Sequence, residues 1–279
     1  MVQILSGLEV SKKRKLTLKE EVSKINGRKP KLVVVIVGQD PASETYVASK
    51  AKQCIEVGMD SEIIRLDETV SQSDLLAVVN ELNENKNVDG ILVQFPLPSH
   101  CSETEVMAAI AAEKDVDGLN PLNVGLLETG ADAFAPCTAQ GVITLLKEYN
   151  IPMEGRRALV IGRSRLVGKP VATMLLAENA TVTIAHSRTV NLEQLIAEND
   201  IIVVAIGRAH FIKKDWIKPH HTVVDVGIHR LDGKLVGDVE SIENAEYGSP
   251  VPKGVGPMTI LTLLENTLKA YNNKEESHE

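Results

Sequence analysis

The sequence predicts an α/β protein divided into two domains. Short β-branched runs alternate with longer stretches of helical period, a βαβα rhythm. Most of those runs are aliphatic throughout rather than alternating. Strands buried on both faces read that way, so the sheets are expected to be parallel and covered by helices. Two loop-rich stretches interrupt the rhythm, Asp115 to Thr138 and Gly248 to Pro257, as in a chain that leaves one domain, builds another and returns.

Taken in order, the expected strands are Lys31–Val37, Glu62–Leu66, Gly90–Phe95, Ala158–Ile161, Thr181–Ala185, Ile201–Ile206 and Thr222–Val226. The expected helices lie near 8–27, 41–57, 71–86, 102–113, 138–149, 168–178, 191–198 and 258–271. The second helix has a clear start, with Asp40 as cap and Pro41 at its first position, where a missing N–H costs nothing. The last carries Ile260, Leu261, Leu263, Leu264 and Leu268. The polar tail Asn272–Glu279 is expected to fray.

Composition narrows the function classes. The 279 residues are 43% apolar, enough for one large core or two ordinary ones. Lys plus Arg is 30 and Asp plus Glu is 38, a formal charge of −8, with three Phe, one Trp and four Tyr. Nucleic-acid binding wants a basic surface and stacking rings, so it is excluded as a general role. Cys54, Cys101 and Cys137 are odd in number and widely spaced, which fits a reducing compartment better than a disulfide framework. The longest aliphatic runs are far short of the ~20 residues of a membrane span. A cytoplasmic, soluble protein is expected.

Five segments carry possible chemistry. In Val37–Gly58, Tyr46 and Lys50 stand four apart and share a helix face beside the stripe Val47, Ala51, Cys54 and Ile55. Partial desolvation there would make Lys50 usable for proton transfer; an amphipathic helix with a snorkelling lysine meets the same spacing. In Asp89–Pro98, Gln94 ends an aliphatic strand, where α/β sheets place ligands, although a strand-end amide bonded to its own loop reads the same. In Lys114–Val124, two acids and two Asn sit in a loop where an Asp could meet a guanidine-like edge with two oxygens, and turn chemistry accounts for the same residues.

The fourth segment, Ala158–Pro170, runs from a strand through Gly162, Arg163 and Ser164 to Gly168 before a helix. That is the context of a dinucleotide site, where backbone N–H groups at a helix start meet phosphates, though the spacing departs from G-x-G-x-x-G. The next strand ends in His186-Ser187-Arg188-Thr189, with no acid for a ribose 2′-OH. Basic and hydroxyl groups suit a 2′-phosphate, hence NADP rather than NAD. Arg156, Arg157, Arg165 and Lys169 add local positive charge. The fifth segment pairs Asp225-Val226-Gly227-Ile228 with Gly237-Asp238-Val239 and then Pro250–Thr259, whose glycines permit close backbone approach. His220, His221 and His229 form no metal-ligand spacing, so no metal is expected.

In this order and at this length, the five segments resemble the bifunctional methylenetetrahydrofolate dehydrogenase/methenyltetrahydrofolate cyclohydrolase family, from about Val33 to Leu264. The resemblance implies a folate-binding catalytic domain of residues 1–138 and 259–279, a Rossmann-type NADP domain of residues 139–258, and a C-terminal helix returning to the first domain. Folate would lie in the cleft between them. By matching position, Lys50 is implied as the catalytic lysine, Tyr46 lies over the folate rings, and Gln94 bonds Lys50. Asp117 takes the pterin edge, Ser43 supports the Tyr/Lys pair, and Gly256, Pro257 and Thr259 line the folate side. Thr138, Gly162, Arg163, Ser164, Ser187, Arg188 and Ile228 would hold NADP.

The implied partners are one-carbon tetrahydrofolate derivatives in a homodimer built through the Rossmann domain, serving one-carbon metabolism and purine biosynthesis. The implied activity oxidises 5,10-methylenetetrahydrofolate with NADP and hydrolyses the methenyl product to 10-formyltetrahydrofolate. Two competing readings are a dehydrogenase with weak or absent cyclohydrolase activity and an idle NADP-binding scaffold. The intact set Tyr46, Lys50, Gln94 and Asp117 argues against both. Three features depart from the family pattern: Ala139 where Pro is usual, Lys253 where Gly is usual, and the basic run Lys12–Lys15. Ala139 is expected to loosen a helix start, and Lys253 to be strained if its position needs φ > 0.

Overall fold

The computed structural model describes residues 1–276. The chain opens with a two-residue strand, β1 (Gln3–Ile4), and the helix α1 (Gly7–Ser23). It continues through β2 (Lys31–Val37), α2 (Pro41–Glu56), β3 (Asp60–Leu66), α3 (Gln72–Glu84), β4 (Gly90–Val93), α4 (Glu103–Ala109) and α5 (Pro121–Glu128). Then come α6 (Cys137–Glu148), β5 (Arg157–Ile161), α7 (Gly168–Ala177), β6 (Thr181–Ala185), α8 (Leu192–Ala197) and β7 (Ile201–Val204). Strands β8 (Thr222–Asp225), β9 (His229–Leu231), β10 (Lys234–Val236) and β11 (Tyr247–Gly248) precede the last helix, α9 (Val255–Glu276).

The chain forms two compact units, residues 14–135 with the chain from Leu263 onward, and residues 1–13 with 136–262. In the first, three parallel strands take the order β3-β2-β4. Leu32, Val33, Val34, Val35 and Ile36 of the central strand are all buried, which is why that stretch reads as an unbroken aliphatic run. Leu75, Val79 and Leu82 of α3 and Val106 of α4 pack against one face of this sheet. The caps follow the sequence: Asp40 accepts from Ser43 N at 2.8 Å and Ser71 from Asp74 N at 3.1 Å. Within the same unit, Asn266 Nδ2 of α9 donates to Val116 O at 2.9 Å, and Arg14 Nε meets Glu265 Oε1 at 2.9 Å.

The second unit is a six-stranded parallel sheet in the order β1-β11-β8-β7-β5-β6. β5 has β6 on one side and β7 on the other, so the strand order reverses at β5, and its carboxyl end is the place where such sheets hold ligands. Its core gathers Leu159, Ile161, Ile202, Val204 and Val223 with Ile196, Ile212 and Ile217. β9 and β10 form a separate antiparallel hairpin.

Several details differ from the expected boundaries. Residues 1–13 group by contact with the second unit, where Gln3 and Ile4 pair with Tyr247 and Gly248. A Cβ at Gly7 would lie 1.9 Å from Gly254 O, so α1 starts in direct backbone contact with that unit. α9 begins at Val255, earlier than expected, and its residues through Thr262 also belong to the second unit. The Asp115–Thr138 stretch is not all loop. Asn120 caps α5 by accepting from Leu122 N at 2.7 Å, and Pro121 takes the first turn. Helix α6 starts at Cys137 with Ala139 fully buried in its first turn.

Candidate active site

Two groups of residues stand out, one in each unit. In the first, α2 leaves the central strand and carries Ser43, Tyr46 and Lys50 at spacings of three and four, on one face. β4, the strand beside β2, delivers Gln94 at its carboxyl end, with Gln94 N bonded to Val35 O at 2.8 Å. The two elements meet where Lys50 Nζ donates to Gln94 Oε1 at 3.0 Å. Gln94 Nε2 donates to Phe95 O at 2.7 Å, which turns the amide so that its oxygen faces the lysine. Lys50 is buried, 7% exposed, and its ammonium sits 5.2 Å from the Tyr46 ring centroid. Burial, and behind it the charge of Asp117, hold the Tyr46 phenol above its ordinary value.

Asp117 is half-buried on a loop whose shape is set by another acid, Asp115. Asp115 Oδ2 accepts from Asn120 N at 2.7 Å and from Asn123 Nδ2 at 2.8 Å. Its carboxyl is pushed up to about 7 by burial, against those hydrogen bonds and with a smaller push from Asp117. In the sequence Asp115 stands as one of two loop acids, and its partners, including Asn123, read as turn residues. Spacing offered no way to see that they close on one carboxylate.

Gly256, Pro257 and Thr259 lie in the first turns of α9. Pro257 sits where helix N–H groups have no internal partner. Thr259 Oγ1 donates to Thr138 Oγ1 at 3.2 Å, which joins a residue expected on the folate side to one expected on the cofactor side. Both belong to the second unit. Lys253, just before this turn, has φ +83°, a left-handed conformation, and its carbonyl accepts from Leu8 N at 3.0 Å.

The second group surrounds a cavity of about 430 Å³ at the carboxyl ends of β5, β6 and β7. Gly162, Arg163, Ser164 and Ser187 line it, with His186, Thr189, Arg208, Phe211 and Trp216 among the other wall residues. Gly162 has φ +127°, and a Cβ there would stand 2.2 Å from Ala205 O, so glycine is required where β5 turns away. Ser164 Oγ accepts from Val167 N at 3.2 Å and Gly168 N at 3.3 Å. These N–H groups at the start of α7 were expected to face phosphate; in the structure they close the loop onto its own serine.

Thr138, Arg188 and Ile228 do not line the cavity. Arg188 is exposed, its N–H bonded to His186 Nδ1 at 3.2 Å, and Ile228 is 46% exposed ahead of the hairpin. Of the basic residues around the loop, Arg163 lines the wall, and Arg208 joins it from the loop after β7. Arg208 was not anticipated, because only the end of a neighbouring strand brings it there. Arginines and hydroxyls lining a cavity at a strand-order reversal suit a phosphate-bearing dinucleotide.

Fold and site define a two-unit α/β protein of the dinucleotide-using oxidoreductase class, with a second, lysine-centred site. The comparisons agree and go further. Residues 136–275 match the model of the tetrahydrofolate dehydrogenase/cyclohydrolase NAD(P)-binding domain, and residues 5–117 match that of the catalytic domain of the same family. The bifunctional protein FolD of Brevibacillus brevis is 53% identical over 273 residues, 96% of each chain. The crystal structure of the bifunctional methylenetetrahydrofolate dehydrogenase/cyclohydrolase from Campylobacter jejuni superposes with TM-score 0.96 at 46% identity, over 98% of this chain and 100% of that one. The Trypanosoma brucei methylenetetrahydrofolate dehydrogenase-cyclohydrolase, solved with NADP and an inhibitor, has TM-score 0.93 at 36% identity over 98% of both. The chain belongs to the tetrahydrofolate dehydrogenase/cyclohydrolase family.

Proposed function

We propose that the two groups of residues divide a bifunctional activity between them. The chain is an NADP-dependent enzyme that oxidises 5,10-methylenetetrahydrofolate to the 5,10-methenyl form and hydrolyses that to 10-formyltetrahydrofolate. The observation that carries the assignment of roles is the Lys50–Gln94 hydrogen bond beside Tyr46.

NADP supplies the hydride acceptor, the nicotinamide C4. The residues present fit it: Arg163 and Arg208 with Ser187 and Thr189 offer cationic and hydroxyl donors to phosphate, and no carboxylate lines the cavity among the described residues. The residues proposed to hold the cofactor are Gly162, Arg163, Ser164 and Ser187, with Thr138, Arg188 and Ile228 assigned from the resemblance alone. Arg163 and Ser187 take the 2′-phosphate.

On the folate side, Asp117 receives the pterin edge through two oxygens, and Tyr46 covers the ring system. Ser43 supports the Tyr/Lys pair, and Gly256, Pro257 and Thr259 contribute to folate binding. Oxidation needs orientation more than proton transfer, because the ring nitrogens of the folate stabilise the methenyl cation. Hydrolysis does need a proton to move as water adds and the ring opens. Lys50 is the group placed for it, with Gln94 holding the ammonium by its carbonyl oxygen and Tyr46 covering its other side.

Assembly as a homodimer through the dinucleotide unit is supported by β6, an edge strand with Ile184 42% exposed. Among the described residues no helix is long and apolar enough to cross a membrane. The cysteine usage supports a cytoplasmic location, and the resemblance supports a part in purine biosynthesis.

One assay tests the function. With methylenetetrahydrofolate and NADP, NADPH forms and the methenyl absorbance does not accumulate. Accumulating methenyl indicates a dehydrogenase alone, and no NADPH indicates an idle scaffold. Equal rates with NAD and NADP contradict the 2′-phosphate assignment.

A further inference from the structure

The loop after β7 is built around a carboxylate that the reaction itself does not use. Asp238 is fully buried. Its Oδ2 accepts from Ile206 N at 2.8 Å and Gly207 N at 3.1 Å. Its Oδ1 accepts from Arg208 N at 2.8 Å and from His229 Nε2 at 2.7 Å. Three consecutive backbone N–H groups and one imidazole N–H therefore converge on one side chain. The two ends of the turn are further tied by His210 N to Gly237 O at 3.0 Å and Ile212 N to Asp238 O at 3.0 Å.

Asp238 is itself held by a second buried acid at the end of β8. Asp225 Oδ1 accepts from Asp238 N at 3.0 Å, and Asp225 Oδ2 from Val239 N at 2.8 Å. The flanking glycines have a stated purpose here. A Cβ at Gly227 would stand 2.4 Å from Asp238 Oδ1, and one at Gly237 would stand 2.0 Å from Asp225 Oδ2. The Asp-Val-Gly and Gly-Asp-Val segments thus form one clamp, and the clamp's free side grips the Ile206–Arg208 turn.

That turn is a wall of the cavity, with Ile206 and Arg208 both lining it. The Arg208 guanidinium lies 4.6 Å over the Phe211 ring, another wall residue, which limits the directions the side chain can take. We propose that Arg208 is a further ligand of the cofactor's phosphates and that Asp238 is the positioning residue that fixes the turn carrying it. The proposal rests on the reading of this cavity as the NADP site. Asp238 is suited to the task because a carboxylate accepts at both oxygens. An amide cannot, so Asp238→Asn sets an NH2 against N–H donors on one side of the clamp.

Trp216 lines the cavity and is the only tryptophan in the chain, so its fluorescence reports occupancy directly. The test titrates the full chain with NADP and compares wild type, Arg163→Ala, Arg208→Ala and Asp238→Asn, with steady-state kinetics alongside. Arg208→Ala and Asp238→Asn are each expected to weaken NADP about tenfold or more, the loss of one charge-assisted contact. KM for NADP should rise with kcat within about threefold, a split that general destabilisation does not produce. Binding by Arg208→Ala within twofold of wild type, while Arg163→Ala is weakened, overturns the inference and leaves the cavity reading standing. Unchanged binding by both arginine variants overturns the cavity reading and this inference with it. Arg208 is exposed, so Arg208→Ala decides its role as ligand even where Asp238→Asn does not fold; Asp238→Asn that folds and binds NADP within twofold of wild type overturns the positioning role.

Discussion

Lys50 Nζ donates to Gln94 Oε1 at 3.0 Å, and Gln94 Nε2 is itself committed to Phe95 O at 2.7 Å. The lysine stands on a helix and the glutamine at a strand end forty-four residues away, so the pair depends on the β2–β4 pairing beneath it. Because the amide is turned by its own main chain, its oxygen is the atom offered to the ammonium.

Removing that oxygen leaves Lys50 in place but less well held. Gln94→Ala should lower methenyltetrahydrofolate hydrolysis roughly 100-fold, the lower end of what general acid–base groups contribute. NADP binding, read by Trp216, should not change. Undiminished hydrolysis would separate Gln94 from the chemistry.

Lys253 carries a side chain at φ +83°, in a turn whose carbonyl receives the N–H of Leu8. A left-handed conformation costs a non-glycine residue ~1–2 kcal/mol, of which the more flexible unfolded glycine chain returns part. Lys253→Gly should therefore stabilise the protein by about 0.5–1 kcal/mol. Urea unfolding with an unchanged slope and a higher midpoint would show it, and an unmoved or lower midpoint would refute the strain.

His221 is fully buried, its Nδ1 accepting from Lys218 N at 3.0 Å. Burial first, then the neighbouring His220 and Lys218, lower its value from 6.5 to about 4. The unfolded chain thus binds a proton between those values while the folded chain does not, and stability is lost as pH falls from 6.5 towards about 4. The loss is on the order of 2 kcal/mol. Denaturation at a series of pH values should show a shallower slope across this window for His221→Gln than for wild type. Equal slopes would remove His221 as the cause.

Much of this architecture is legible in the sequence because local chemistry and global fold agree. Leu32–Ile36 is unbroken because β2 has covered faces, and Asp40-Pro41 caps α2 as its residue types demand. What escaped depends on distant pairing. β1 is two residues long and exists only because β11 lies alongside it. α5 was hidden because Asn120-Pro121 reads equally as a turn and as a helix start. At the site, the resemblance named Lys50 and Gln94, and the structure joins them. Gly162, Arg163, Ser164 and Ser187 likewise share one cavity. Arg208, Phe211 and Trp216 were not foreseen, because a cavity wall assembled from several strand ends has no spacing in the sequence.

Whether Lys50 moves the proton in methenyl hydrolysis is decided by Lys50→Met. Methionine preserves the apolar stem and removes the ammonium. Methenyltetrahydrofolate hydrolysis should be lost while the Trp216 fluorescence change still reports NADP binding with wild-type affinity. Hydrolysis at the wild-type rate in that variant would contradict the role of Lys50.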